Sequence, residues 1–262
     1  MILNPPNMSK QNFTLLNYRH NVTSQTGEDG VLREIFRRLN ISHGWFVEFG
    51  AWDGKHLSNT FSLLSSGWKG VEIEGDKARV QDLMLTAEEY PGQIIPIEAY
   101  VEIEGDRSLD LLLAKTPTPV DFDLLSIDID SYDWQIWNSL KNYNPKVVLI
   151  EINGHIPPGI EHIHNHKMSS SSWTSTLKLG QSKGYSLVCF TANMMFVRND
   201  YVQLLELPSD ELENQDNMFL DKWIEIDFGT KFIPLGIQPF MVKLVFDLKK
   251  VSRKIKARLN FN

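Results

Sequence analysis

Cysteine is almost absent from this chain: Cys189 stands alone among 262 residues, so no disulfide can close within it. Nothing then argues for an oxidising compartment, and Cys189, ending the apolar Ser186-Leu187-Val188 run, reads as a small buried residue rather than a nucleophile. No hydrophobic run approaches the length of a membrane-spanning helix, and Met1 to Lys10 lacks the apolar stretch of a signal peptide, so a cytoplasmic location is the expectation. Positive charge is scarce as well. The net charge is −7, and the seven basic residues and single acid from Met241 to Asn262 leave residues 1–240 at −13. Such a body repels phosphate, which excludes a general nucleic-acid surface. There is no internal repeat and no low-complexity run beyond Ser169 to Ser172.

What is present is ordinary for a globular protein, with 42% hydrophobic and 23% charged residues. The length favours one large domain, expected over 1–240, with a core of about 24–200 and an irregular cap or edge segment over 200–240. A helix is expected from Gly27, with Glu28 and Asp29 at its positive end and Val31, Leu32, Ile35, Phe36 and Leu39 on one stripe. Apolar bursts follow at Trp45–Phe49, Gly70–Ile73, Ile94–Ile97, Phe122–Ile129 and Val147–Ile152, with room for helices between them. This alternation predicts an α/β fold built on a parallel sheet. Trp173 to Lys183, stopped by Gly184, predicts another helix, and Tyr185–Phe190 with Met194–Arg198 an antiparallel hairpin at a sheet edge. Met241, Leu244, Leu248, Val251 and Ile255 form an apolar seam on a basic helix over 241–262, suited to packing on its own domain, to a homodimer or to weak contact with an anionic membrane.

The first burst breaks abruptly into Gly50-Ala51-Trp52-Asp53-Gly54, a turn that brings backbone close to a nucleotide-like ligand. About twenty residues on, the second burst ends in Glu74, where a carboxylate can accept both hydroxyls of a ribose. Together they read as an adenosine site. The two-residue strand period aligns Ser126, Asp128 and Asp130 on one face of the fourth burst and Glu151 with Asn153 on the fifth, all near the carboxyl edge where such sheets bind ligands. Carboxylates grouped there can orient an ammonium, accept a proton or hold a divalent cation. Four histidines follow Glu151, namely His155, His162, His164 and His166, and His155 is the first choice for a general base. The His162-x-His164-x-His166 spacing alone does not make a zinc site. Ser169 to Ser172 is read as a cap for the helix at Trp173.

These stretches resemble class I S-adenosylmethionine-dependent methyltransferases of the FkbM-like group. The resemblance rests on the Val47 to Gly54 turn, Ser58-Asn59-Thr60, Gly67 to Glu74, Leu125 to Asp130 and Val148 to Asn153, with Ser24 to Gly30 as the lead-in. It implies a Rossmann-like fold: a mostly parallel seven-stranded sheet with an antiparallel edge hairpin and helices on both faces. It implies that Glu48 and Gly50, Ala51, Trp52, Asp53 and Gly54 flank the methionine part of the cofactor, with Ser58 and Asn59 beside them. Glu74 would take the ribose, Ala99 and Tyr100 would lie near the adenine, and Asp128 would face the methionine amino group and the acceptor. The implied reaction is O-methylation of a sugar or sugar-derived acceptor, a small molecule or a glycan. Some relatives hold magnesium with strand-end acids, a role open here to Asp128, Asp130 and Glu151. The chain departs from the group at Asp128-Ile129-Asp130-Ser131, where many relatives have Asp-(Val/Ile)-Glu-Gly, and at Asn153, where a further acid would favour the metal.

Two other classes fit part of the pattern. A nicotinamide-dependent oxidoreductase shares the glycine turn and Glu74, yet the three-glycine spacing that seats a pyrophosphate is missing. A non-catalytic cofactor-binding relative would keep the turn without needing the strand-end acids.

Overall fold

Each apolar burst becomes a strand of one sheet in the computed structural model, which describes residues 14–219. In chain order these are β1 (Trp45–Phe49), β2 (Lys69–Glu74), β3 (Ile94–Glu98), β4 (Leu124–Ile127), β5 (Val147–Glu151), β6 (Tyr185–Phe190) and β7 (Asn193–Arg198). The helices are α1 (Glu28–Arg38), α2 (Phe61–Leu64), α3 (Lys77–Glu89), α4 (Leu109–Leu113), α5 (Asp133–Ser139), α6 (Trp173–Ser182), α7 (Asn199–Val202) and α8 (Ser209–Glu213). The expected basic helix over 241–262 and residues 220–240 of the cap segment lie outside the described residues.

The strand order is β3-β2-β1-β4-β5-β7-β6. All neighbours are parallel except β7, which runs antiparallel to both β5 and β6. The chain thus builds outward from β1 in one direction, then returns to β1 and builds the other way through β4 and β5. That reversal leaves a crevice between the carboxyl ends of β1 and β4. Strands in the middle of the sheet are covered on both faces, which is why they read as unbroken apolar runs: Val147 to Ile150 are wholly buried. At one edge, Ala99 N–H donates to Glu74 and Gly70 N–H to Gln93, so odd-numbered residues of β3 face β2 and Pro96 faces the free side.

Helix ends follow their expected chemistry. Ser172 caps α6 by accepting the Ser175 N–H, and Gly184 follows that helix at φ 84°. Glu28 and Asp29 stand in the first turn of α1, but they do more than meet a dipole. Asp29 Oδ2 accepts the amides of Val22, Thr23 and Ser24 at 2.8, 2.9 and 2.8 Å, folding the lead-in segment back. Burial works to raise its pKa, but the Ser24 and Ser62 hydroxyls with the Val22 and Ser24 amides hold the carboxyl below its ordinary value.

The fourth burst is longer than the strand it forms. β4 stops at Ile127, so Asp128 and Asp130 lie in the loop beyond it and do not share a strand face with Ser126. Asp130 takes φ 59°. Asp133 produces that turn: its carboxylate accepts Ile129 N–H at 2.8 Å and Ser131 N–H at 2.9 Å. Asn153 likewise falls past the end of β5, with its N–H on the Ser171 carbonyl at 2.8 Å and its side-chain amide on that of Ser169 at 3.0 Å.

Candidate functional site

A cavity of about 600 Å³ opens at the reversal point of the sheet, walled by the residues that follow β1, β2, β3 and β4. Gly50 makes the close approach possible: at φ 78°, any Cβ there would lie 2.1 Å from the Asp128 carbonyl oxygen. Ala51 and Trp52 continue the wall. Trp52 adopts φ 52°, unusual for a bulky residue, and its N–H donates to Glu74 Oε2 at 2.8 Å. Glu74 Oε1 takes the Asp76 N–H at 2.7 Å, so the carboxylate is fixed at the cavity edge with lone pairs to spare. The Arg79 guanidinium lies 4.2 Å from the Trp52 ring centre, and the His56 ring stands edge-on to that indole at 4.9 Å. Ala99 and the exposed Tyr100 complete this end, with Tyr100 lying over Gly75, where a Cβ would touch its ring.

Glu48 lines the cavity from below with its carboxylate fully engaged. Oε1 accepts from Asn59 N–H and the Ser126 hydroxyl, each at 3.1 Å, and Oε2 from the hydroxyls of Ser58 at 2.7 Å and Thr60 at 2.8 Å. Burial raises its pKa, and these donors pull against that rise. Ser58 and Asn59 are thereby pinned in the cavity wall. Asp53 and Gly54 do not line the cavity. The Asp53 carboxylate turns back to accept the Lys55 and His56 amides at 2.9 and 2.6 Å, and Gly54 faces inward against Glu72.

The other end is acidic and unfinished. Asp128 and Asp130 line the cavity, Glu151 stands beside them, and carboxylate oxygens of the three lie within 4.8 Å of one another. Glu151 Oε2 is buried without a hydrogen-bond partner among the described residues. Burial, then the charges of Asp133 and Asp130, push Asp128 up to about 7. Burial and the Asp128 charge push Glu151 further, to about 9. Three oxygen donors this close, two of them disfavoured as bare anions, suit a hard divalent cation or an ammonium. Among the described residues, no such group forms from the histidines of the 155–166 loop.

His155 is exposed and outside the cavity wall, its N–H donating to Asn153 Oδ1 at 3.1 Å. His164 packs edge-on against Tyr132 at 4.5 Å, and its Nδ1 accepts the Ser170 N–H at 3.2 Å. Burial and the neighbouring His162 and His166 lower its pKa. The loop meets the cavity through Tyr132 and through the Ser169 hydroxyl, which donates to the Asp130 carbonyl. Ser126 and Asn153 do not join the acids. Gln25, His56, Leu57, Arg79 and Tyr132 line the cavity and were not singled out by sequence. A signal existed for Arg79: it sits in the first turn of α3, three residues after the cap Asp76, and the helix after β2 starts at this crevice.

No protein-family model matches the chain, and no curated protein matches its sequence. Among solved structures, it is similar to a candidate caffeoyl-CoA O-methyltransferase from Staphylococcus aureus, with 14% identity, 69% of this chain and 86% of that one covered, and a TM-score of 0.44. It is similar to an S-adenosylmethionine-dependent methyltransferase from Clostridium acetobutylicum, with 8% identity, coverage of 68% and 93%, and a TM-score of 0.43. It is also similar to the O-methyltransferase TomG from Streptomyces achromogenes, with 18% identity, coverage of 50% and 57%, and a TM-score of 0.35. Among the described residues, no helix is long and apolar enough to cross a membrane.

Proposed function

We propose that this protein is an S-adenosylmethionine-dependent O-methyltransferase that modifies a hydroxyl of a sugar or sugar-derived acceptor, within the FkbM-like group its motifs resemble. One observation carries the reading: a single cavity joins the Gly50 turn and Glu74 at one end to Asp128 and Asp130 at the other. The first end suits an adenosine, with Glu74 for the ribose hydroxyls and Trp52 and Tyr100 as flat surfaces for the base. The second suits the sulfonium, the methionine ammonium and the acceptor.

The bound cofactor supplies an activated methyl group. The chain's own task is then alignment and proton removal. As the acceptor oxygen bonds to the methyl carbon, the carbon–sulfur bond breaks and the hydroxyl proton leaves to a base. Asp128, with a pKa of about 7, is matched to that role, with Asp130 beside it and Glu151 holding a proton at neutral pH. His155, exposed and away from the wall, is a weaker candidate. Asp128, Asp130 and Glu151 would hold a magnesium ion where one binds, and it would orient the acceptor oxygen and favour its deprotonation.

Calorimetry with S-adenosylhomocysteine and a mass-detected methyl-transfer assay over sugars and nucleotide sugars test the reading. Saturable binding that weakens in Glu74→Ala, with one methyl added to a sugar hydroxyl, is the expected result. Absent binding, or binding indifferent to Glu74, would overturn the adenosine assignment. Methyl addition to nitrogen or carbon instead would overturn the choice of acceptor atom.

A further inference from the structure

Two residues before Glu74, on the same face of β2, lies a second acid, Glu72. It is wholly buried, and among the described residues neither carboxyl oxygen has a hydrogen-bond partner. Among the described residues, the ionisable groups that act on it are both acids, Glu48 from β1 and Asp53 from the Gly50–Gly54 turn. On β1, Glu48 is its register neighbour, and on β3 Pro96 is. From α3 comes the apolar tip of Leu83: a Cβ built on Gly54 would lie 2.3 Å from Glu72 Oε2 and 3.0 Å from Leu83 Cδ1. A bare carboxylate in this place has no protein donor to stabilise it among the described residues. A neutral carboxyl carries no such penalty.

The position matters because of what rests on it. The Gly50–Gly54 turn is tied at the top, where Trp52 N–H bonds Glu74, and at the side, where the Asp53 carbonyl accepts the Thr86 hydroxyl at 2.7 Å. From beneath, Gly54 at φ 73° sits directly against the Glu72 carboxyl. The turn that shapes the cofactor cavity therefore has an acid as its floor.

We propose that Glu72 is a positioning residue that works as a neutral acid: protonated, it supports the Gly50–Gly54 turn, and once ionised it repels Asp53 and loosens the cavity. Burial, with Glu48 and Asp53 adding to it, holds this carboxyl well above the ordinary carboxylate range. The sign follows from linkage. Support is complete below the ordinary carboxylate pKa and is lost as pH rises through the elevated one. The consequence for ligand affinity rests on the cofactor reading above, whereas the movement of the turn does not.

Two measurements from about pH 7 to about pH 10, above the range of an ordinary histidine, separate the ideas. The first is the fluorescence of Trp52, taken as the difference between the wild-type protein and Trp52→Phe, with the same pair made in a Glu72→Gln background. The difference signal is expected to shift with pH in the first pair and to stay flat in the second. The second is the Kd for S-adenosylhomocysteine, expected to weaken over this range by about tenfold more in the wild type than in Glu72→Gln, which keeps only the slope that Asp128 and Glu151 impose. Glu72→Leu, which removes the polar atoms while filling the space, is expected to match Glu72→Gln. A Trp52 signal that does not move, or moves equally in the Glu72→Gln pair, overturns the proposal. If S-adenosylhomocysteine binds at no pH, the cofactor reading fails instead, and the Trp52 signal alone decides on Glu72.

Discussion

The two ends of the cavity are built on opposite terms. At the β1–β2 end, both acids that line the wall have their oxygens bonded: Glu74 to two amides, and Glu48 to one amide and three hydroxyls. At the β4–β5 end, Asp128, Asp130 and Glu151 crowd one another, and Glu151 keeps a buried oxygen without a donor. A wall bonded in this way needs no ligand to hold its shape while the Glu72 carboxyl beneath it stays neutral, so it can bind without reorganising. An unsatisfied end stores repulsion that a cation or a proton relieves, which makes it sensitive to pH and ions.

Four substitutions can break or sharpen this contrast. The largest effect is expected from Asp128→Asn, with kcat/KM falling by at least about a hundredfold. In the wild type kcat/KM should rise as pH passes about 7, because Asp128 accepts a proton only once ionised, and the variant's profile should lack that rise. A wild-type profile flat between about pH 6 and about pH 8 would remove Asp128 from the role of base. Next comes Glu74→Ala, which removes a charged acceptor and leaves two amides unpaired. Calorimetry should show S-adenosylhomocysteine binding weakened by about thirtyfold, or ~2 kcal/mol. Glu151→Gln should act in the other direction, on stability. A carboxyl raised to about 9 contributes stability below its ordinary value and loses it as pH rises through 9. The amide variant should therefore melt higher than the wild type at alkaline pH, by about 3 °C for each ~1 kcal/mol relieved, in a thermal scan. The smallest effect is expected from His155→Ala, with turnover within about twofold of the wild type, the usual reach of a surface change. A larger loss there than in Asp128→Asn would invert the assignment of roles.

The sheet was legible because buried parallel strands must be apolar along their whole length, and five such runs stand out between helix-length gaps. The ends of those runs were less so. Ile129 and Ile152 extend the apolar pattern past the last ladder bond, and only Asp133, folding the chain back onto Ile129 and Ser131, shows where β4 gives way. The Gly50 turn and Glu74 were readable because a glycine at positive φ and an acid at a strand end are local requirements. Trp52, Arg79 and His56 meet across α3 and the turn, and no local pattern reveals that stack. Closeness in sequence to Glu151 pointed to His155. The chain instead turns at Asn153, bound to Ser169 and Ser171, and His155 falls outside the cavity wall.

Pro96 has a consequence of another kind. Among the described residues β3 is an outer strand of the sheet, and its even-numbered residues present their backbone away from β2. A second chain seeking to extend the sheet there would find a missing donor at the middle of the strand, between Ile95 and Ile97. The apolar character that lets β3 join its own sheet would otherwise make it a template for self-association. One imino acid in its middle thus makes this marginal strand a poorer template for a further one.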